Sequence, residues 1–108
     1  ARQKKNLPRR LTLVNMELIF ELEFKETAIE DLKFWAKNDL RILKKIESLL
    51  SSIKKNPYVG IGKPEALKYD LAGYWSRRIN KEHRIIYAVN GEIITIHSMR
   101  FHYDRKLN

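Results

Sequence analysis

Residues 63–103 collect the groups that move protons around a phosphodiester and neutralise its charge. Lys63-Pro64-Glu65-Ala66-Leu67-Lys68 sets a carboxylate between two ammonium groups. Trp75-Ser76-Arg77-Arg78-Ile79 and Glu82-His83-Arg84 add guanidiniums and an imidazole, and Arg100-Phe101-His102-Tyr103 closes with an imidazole and a phenol. Taken singly, each has a plainer use. Glu65 behind Pro64 can cap a loop, His83 beside a turn reads as a surface or edge residue, and His97 as a packing or RNA-contact residue. Trp35 and Trp75 read as core. A zinc site from Glu65, His97 and His102 matches no familiar ligand spacing, and no metal or other cofactor is expected.

The 108 residues suffice for one domain with a single modest core. Cysteine is absent, which excludes disulfides, thiolate metal sites and cysteine nucleophiles. No apolar run reaches the roughly 20 residues that span a bilayer. The basic start is followed by a segment that Asn15, Glu17, Glu21 and Glu23 interrupt, so it has no signal-peptide core. A soluble cytoplasmic protein with no membrane partner is the expectation. The net charge of +9 is uneven. Residues 1–15 carry five basic groups and no acidic one, residues 16–62 carry eight of each, and residues 63–108 carry nine basic and five acidic. The excess therefore lies at the two ends, where it favours encounter with polyanions. Residues 1–15 read as a loosely ordered basic extension, and residues 16–108 as one domain.

The chemistry needs elements to hold it. Glu17 to Phe24 places Leu18, Phe20, Leu22 and Phe24 on one side of a strand. From Glu26 or Thr27 the period becomes helical, with Ala28, Ile29, Leu32 and Trp35 at three- and four-residue steps. Glu26, Glu30 and Asp31 crowd its first turns and suit the helix dipole. Asn38-Asp39 breaks it, and Asp39 caps a second helix over 40–55 whose stripe is Leu40, Leu43, Ile46, Leu49, Leu50 and Ile53. Asn56-Pro57 ends that helix. A loop at 56–64, rich in glycine and proline, leads into strand-like runs at about 66–70, 75–80, 84–90 and 92–99. The order β-α-α-β-β-β-β predicts an α+β domain, an antiparallel helix pair packed on one face of a twisted, mostly antiparallel sheet.

A period of two then assigns faces. A two-residue turn at Asn90-Gly91 pairs Val89 with Glu92, Tyr87 with Ile94 and Ile85 with Ile96. The core side would hold Ile85, Tyr87, Val89, Ile94 and Ile96, and the other side Arg84, Ile86, Ala88, Thr95, His97 and Met99. A three-residue turn at 80–82 pairs Ile79 with His83 and Arg78 with Arg84. A two- or four-residue turn would put Arg77 beside Arg84 instead. The first is preferred because it buries Ile79 and Trp75 together; it puts Arg77 on their side, and Ser76, Arg78 and Arg84 on the open one. The open face then presents Arg78, Arg84 and His97, and guanidinium forks suit phosphate.

The motifs GKPE-LK, G-WSRRI--EHR--Y and the terminal HY, with Phe34-Trp35 and the Asn56-Pro57 break, resemble the YoeB/Txe branch of the RelE superfamily of bacterial toxins over about residues 17–103. The resemblance implies a RelE-like fold and the toxin of a type II toxin–antitoxin system. Such toxins are endoribonucleases that enter the ribosomal decoding site, cut the exposed mRNA codon and are held inactive by a cognate antitoxin. It also implies a homodimer. The family's catalytic residues fall on Glu65, Arg78, Arg84, His102 and Tyr103. Lys63 and Lys68 fall where members offer basic residues to RNA, and Arg77 is grouped with them as an RNA contact. Residues 1–15 have no counterpart in a typical member, and Asp104 to Asn108 run past the tyrosine near which members end.

In those roles Glu65 is the natural base for a 2′-hydroxyl and His102 the natural acid for the 5′-oxygen. An unperturbed histidine at about 6.5 is partly protonated near neutrality, unlike a carboxyl at about 4.3. Arg78 and Arg84 would stabilise the phosphorane, and Tyr103 would stack on or hydrogen-bond the substrate. Two other classes use the same residues: a non-catalytic RNA- or ribosome-binding module, and an interaction protein whose helix pair binds a partner.

Overall fold

The alternation of Glu21 and Glu23 with Leu22 and Phe24 forms β1 (Glu21–Phe24), half-buried on one side and wet on the other. The computed structural model describes residues 19–100. The basic extension at 1–15, the start of the strand expected over 17–24, His102, Tyr103 and the 104–108 tail lie outside the described residues.

After Lys25 the chain enters α1 (Glu26–Asn38), which buries Ala28, Asp31 and Trp35. Ile29, expected in the buried stripe, is 41% exposed, and Asp31 points inward in place of facing solvent at the helix start. Asp39 caps α2 (Leu40–Lys55) as expected, its Oδ1 accepting from the N–H groups of Arg41 and Ile42 at 3.1 and 3.3 Å. The inward stripe of α2 is Ile46, Leu49 and Ile53. Leu40, in the first turn, stays outside the core. No helix among the described residues is long and apolar enough to cross a membrane.

The second half builds β2 (Glu65–Ala66), one 3₁₀ turn (Tyr69–Leu71), β3 (Tyr74–Arg78), β4 (Arg84–Asn90) and β5 (Ile93–Ser98). The strand expected over 66–70 shrinks to β2 because Tyr69 takes φ 59°, which no strand contains. The sheet runs β1-β5-β4-β3-β2. Neighbours are antiparallel except β1 and β5, which are parallel, so the mixed sheet is mostly antiparallel as expected.

The turn after β3 has three residues. Arg78 stands opposite Arg84, and the Ile79 N–H reaches the His83 carbonyl at 2.9 Å. Asn80 shapes it, its Oδ1 accepting from the N–H groups of Glu82 and His83 at 2.9 and 2.7 Å. The next hairpin differs from expectation. Asn90 pairs with Ile93, so the loop is Gly91-Glu92, with Gly91 at φ 63°. The register slides by two positions, which leaves each side chain on its face. A bulge then matters more. Tyr87 faces Ile96 but Ile86 faces Ser98, so His97 is the extra residue. That step turns Met99, expected on the open face, into the core. There it joins Trp35, Ile46, Leu49 and Ile53 of the helices and Ile79, Ile85, Tyr87, Ile94 and Ile96 of the sheet.

Candidate active site

β2 is short, but its register places the carboxylate. Glu65 stands opposite Ser76, and Arg78 is the next residue of β3 on that face. Arg78 in turn stands opposite Arg84. Glu65, Arg78 and Arg84 therefore share the sheet face away from the helices. Glu65 and Arg78 are diagonal neighbours, a relation that spans about 7–8 Å and lies within reach of long side chains. Glu65 and Arg78 are exposed, and Arg84 is half-buried. The Arg84 Nη1 donates back to the turn, to the Asn80 carbonyl at 3.1 Å. Lys63 and Lys68 are exposed on either side of Glu65. The Arg78 N–H donates to the Gly62 carbonyl at 2.6 Å, bringing the start of the Lys63-Pro64-Glu65 segment against β3. The expected acid and phenol, His102 and Tyr103, lie outside the described residues.

This face is less open than the alternation implied. Ser76, Ile86, His97 and Ser98 are all buried on it. The Tyr74 ring meets His97 edge-on at 4.8 Å. Burial, seconded by the charge of Lys25, pushes the His97 pKa below the usual imidazole value. A histidine held neutral in this way makes a poor acid. Its Nδ1 and the Ser98 hydroxyl find no hydrogen-bond partner among the described residues.

Two further expectations are corrected. Arg77, grouped with the RNA contacts, is fully buried and spends its donors on protein oxygens. His83, expected as a surface or edge residue beside a turn, follows the turn but is buried edge-on against Trp35 at 4.9 Å. Tyr69 went unnoticed in the sequence. It is 91% exposed and lines, with Glu65, Lys68 and Leu71, a hollow of about 210 Å³. Its signal was an aromatic one residue after a basic motif, which alone says little. A larger hollow of about 570 Å³, walled by Ile19, Phe20, Lys54, Lys55, Asn56, Pro57 and Tyr58, offers no carboxylate or imidazole.

The described residues thus form a small α+β domain, a helix pair over a five-stranded sheet with an acid and paired arginines on the uncovered face. The family model described as "YoeB-like toxin of bacterial type II toxin-antitoxin system" matches residues 24–103. Toxin YoeB of Synechocystis sp. is 46% identical over 85 residues, covering 79% of this chain and 99% of that protein. The YoeB dimer from Staphylococcus aureus superposes with a TM-score of 0.72 at 48% identity, over 79% of this chain and 99% of that one. A heterotetrameric YoeB–YefM toxin–antitoxin complex from the same species gives 0.70 at 48%, over 78% and 98%. The chain belongs to the YoeB-like toxins of bacterial type II toxin–antitoxin systems.

Proposed function

We propose that this toxin is an endoribonuclease that cuts mRNA in the ribosomal A site and so stops translation. The observation that carries the reading is Glu65 set diagonal to Arg78, which itself faces Arg84 across the β3–β4 ladder. Glu65 takes the proton of the 2′-hydroxyl, and that oxygen attacks the adjacent phosphorus. The Arg78 and Arg84 guanidiniums hold the phosphorane's extra negative charge. His102 gives its proton to the departing 5′-oxygen, which leaves a 2′,3′-cyclic phosphate and a 5′-hydroxyl. Tyr103 stacks on or hydrogen-bonds the nucleotide beside the scissile bond, and Lys63 and Lys68 meet flanking phosphates. Base, acid and cations are all side chains, so the scheme needs no metal. Proton transfer of this kind contributes about 10²–10⁴ in rate.

Partners follow from the same reading. The Staphylococcus aureus relatives are described as a dimer and as a complex with the YefM antitoxin. A cognate antitoxin and a second copy of the chain are proposed here as well.

Primer extension on ribosome-bound mRNA in a purified translation system tests the activity. A cut within the A-site codon is expected, lost in Glu65→Ala and in His102→Ala while antitoxin binding persists. Full cleavage by either variant overturns its assigned role. Salt-sensitive ribosome binding with no cut product would favour a non-catalytic binding module.

A further inference from the structure

Arg77 is a buried guanidinium with every donor used. Its Nε donates to Tyr87 Oη at 3.0 Å, and Nη1 donates to Ser52 Oγ and the Ile61 carbonyl, both at 2.8 Å. Nη2 donates to the carbonyls of Asn56 and Val59 at 2.7 and 3.1 Å. A guanidinium carries five N–H groups, and each has an acceptor here. A buried charge persists only when its donors are satisfied in this way. Ser52 and Tyr87 belong to α2 and β4, so those two bonds fix the guanidinium to the scaffold. The other three gather the loop at 56–62.

Tyr87 completes the gathering, its Oη donating to the Pro57 carbonyl at 2.6 Å. The loop lies tight on the cluster. Gly60 sits at φ 136°, and a Cβ there would strike Ser52 Oγ and come within 3.1 Å of Arg77 Nη1. Gly62 sits at φ 83°, where a Cβ would be 2.6 Å from Leu49 Cδ2. Beyond the loop the chain reaches Glu65 through Lys63-Pro64 alone, and β2 has only two residues of ladder to hold it. The position of Glu65 thus depends on where the loop is held.

We propose that Arg77 is a positioning residue that sets Glu65 against the phosphate-binding arginines. Arg77 and Arg78 are adjacent on β3 and point to opposite faces. One grips the loop that carries the base, and the other faces the phosphate. The distance between base and cation is therefore transmitted through a single peptide unit. This rests on Glu65 being the base.

The test is a double-mutant cycle read by single-turnover cleavage on programmed ribosomes. Arg77→Lys can fail to fold, so Tyr87→Phe, which removes one Arg77 bond and the bond to Pro57, is the informative variant, with Ser52→Ala as a second. A misplacement of about 1 Å costs on the order of 10²-fold in rate. Tyr87→Phe should therefore lower the maximal rate about tenfold or more, with the toxin concentration for half-maximal cleavage unchanged. Made in a Glu65→Ala background, it should leave the residual rate, followed over hours, as it was. Equal fractional losses in both backgrounds overturn the positioning role, as does a parental rate in Tyr87→Phe. If Glu65→Ala alone cleaves at full rate, Glu65 is not the base and both readings fall.

Discussion

The indole of Trp35 donates a 2.9 Å hydrogen bond to the main-chain carbonyl of Met99, 64 residues further along the chain. One turn of α1 away, Asp31 Oδ2 accepts from the N–H of the same residue at 2.8 Å. The end of β5 explains why side chains are needed. The strand resumes for one pair beyond the bulge at His97 and stops at Ser98, which leaves the fully buried Met99 with backbone groups that must find partners elsewhere. Arg100 follows, its guanidinium 3.7 Å above the Phe34 ring centre. One face of α1 thus fixes the main chain at Met99 and the side chain at Arg100, just ahead of His102.

Asp31→Ala should therefore destabilise the fold beyond what a helix-surface acid would. It strands the Met99 N–H in the core, at a cost of about 1–3 kcal/mol. In a domain this size each kcal/mol lowers the melting temperature by about 4–8 °C. Asp31→Asn keeps an acceptor oxygen and should lose less. Thermal unfolding of the two variants beside the parent decides it, and a parental melting curve for Asp31→Ala would remove the anchor.

Arg78 and Arg84 make an opposite prediction. Like charges directly across a ladder destabilise a sheet by roughly 0.2–1 kcal/mol. The exposed Arg78 is thus placed against the interest of the fold. Arg78→Gln should melt at the parental temperature or slightly above it, while cleavage falls by about 10²–10³ if the guanidinium supports the phosphorane. Parallel losses of stability and activity would mean that Arg78 is structural.

These residues also mark how far the sequence could be read. Local signals were legible: Asp39 as a cap, the Asn56-Pro57 stop, the turn at 80–82 and the pairing of Arg78 with Arg84. Each depends on a few neighbouring residues. The side of Arg77 was legible, since the three-residue turn put it with Ile79 and Trp75. Its role was not: three of its five acceptors are loop carbonyls 16 to 21 positions away, and carbonyls leave no trace in a sequence. Asp31 misled for the same reason, its partner being a main-chain N–H 68 positions away, while an acid near the start of a helix normally serves the dipole. Met99 was misplaced because one extra residue at His97 inverts every later face. Glu65 and the arginines stood out as groups able to handle a phosphodiester, but their roles came from the resemblance.

Lys63 and Lys68 should act as point charges on RNA. Neutralising a phosphate on a single strand contributes about 0.7 to the slope of log affinity against log salt. The Lys63→Gln/Lys68→Gln protein should bind a non-cleavable single-stranded RNA with a slope shallower by about 1.4 and with little change in sequence preference. Binding titrations at several salt concentrations, made in a Glu65→Ala background, give the slope. An unchanged slope would place these lysines away from the phosphates.

His97 predicts a pH dependence of stability separate from any catalytic profile. Its pKa in the fold lies below the free value because burial penalises the imidazolium, and Lys25 adds to the effect. Above about 6.5 the imidazole is neutral in both states and costs nothing. As the pH falls below that value the unfolded chain takes up a proton that the folded chain resists, so stability drops until the lower folded pKa is passed. His97→Phe keeps a ring against Tyr74 and removes both the titration and the unpartnered Nδ1. The variant's melting temperature, minus that of the parent, should therefore rise as the buffer is taken from pH 8 to pH 5. Groups common to both proteins cancel in that difference. A difference constant across the range would mean that His97 titrates in the fold as it does in the free chain.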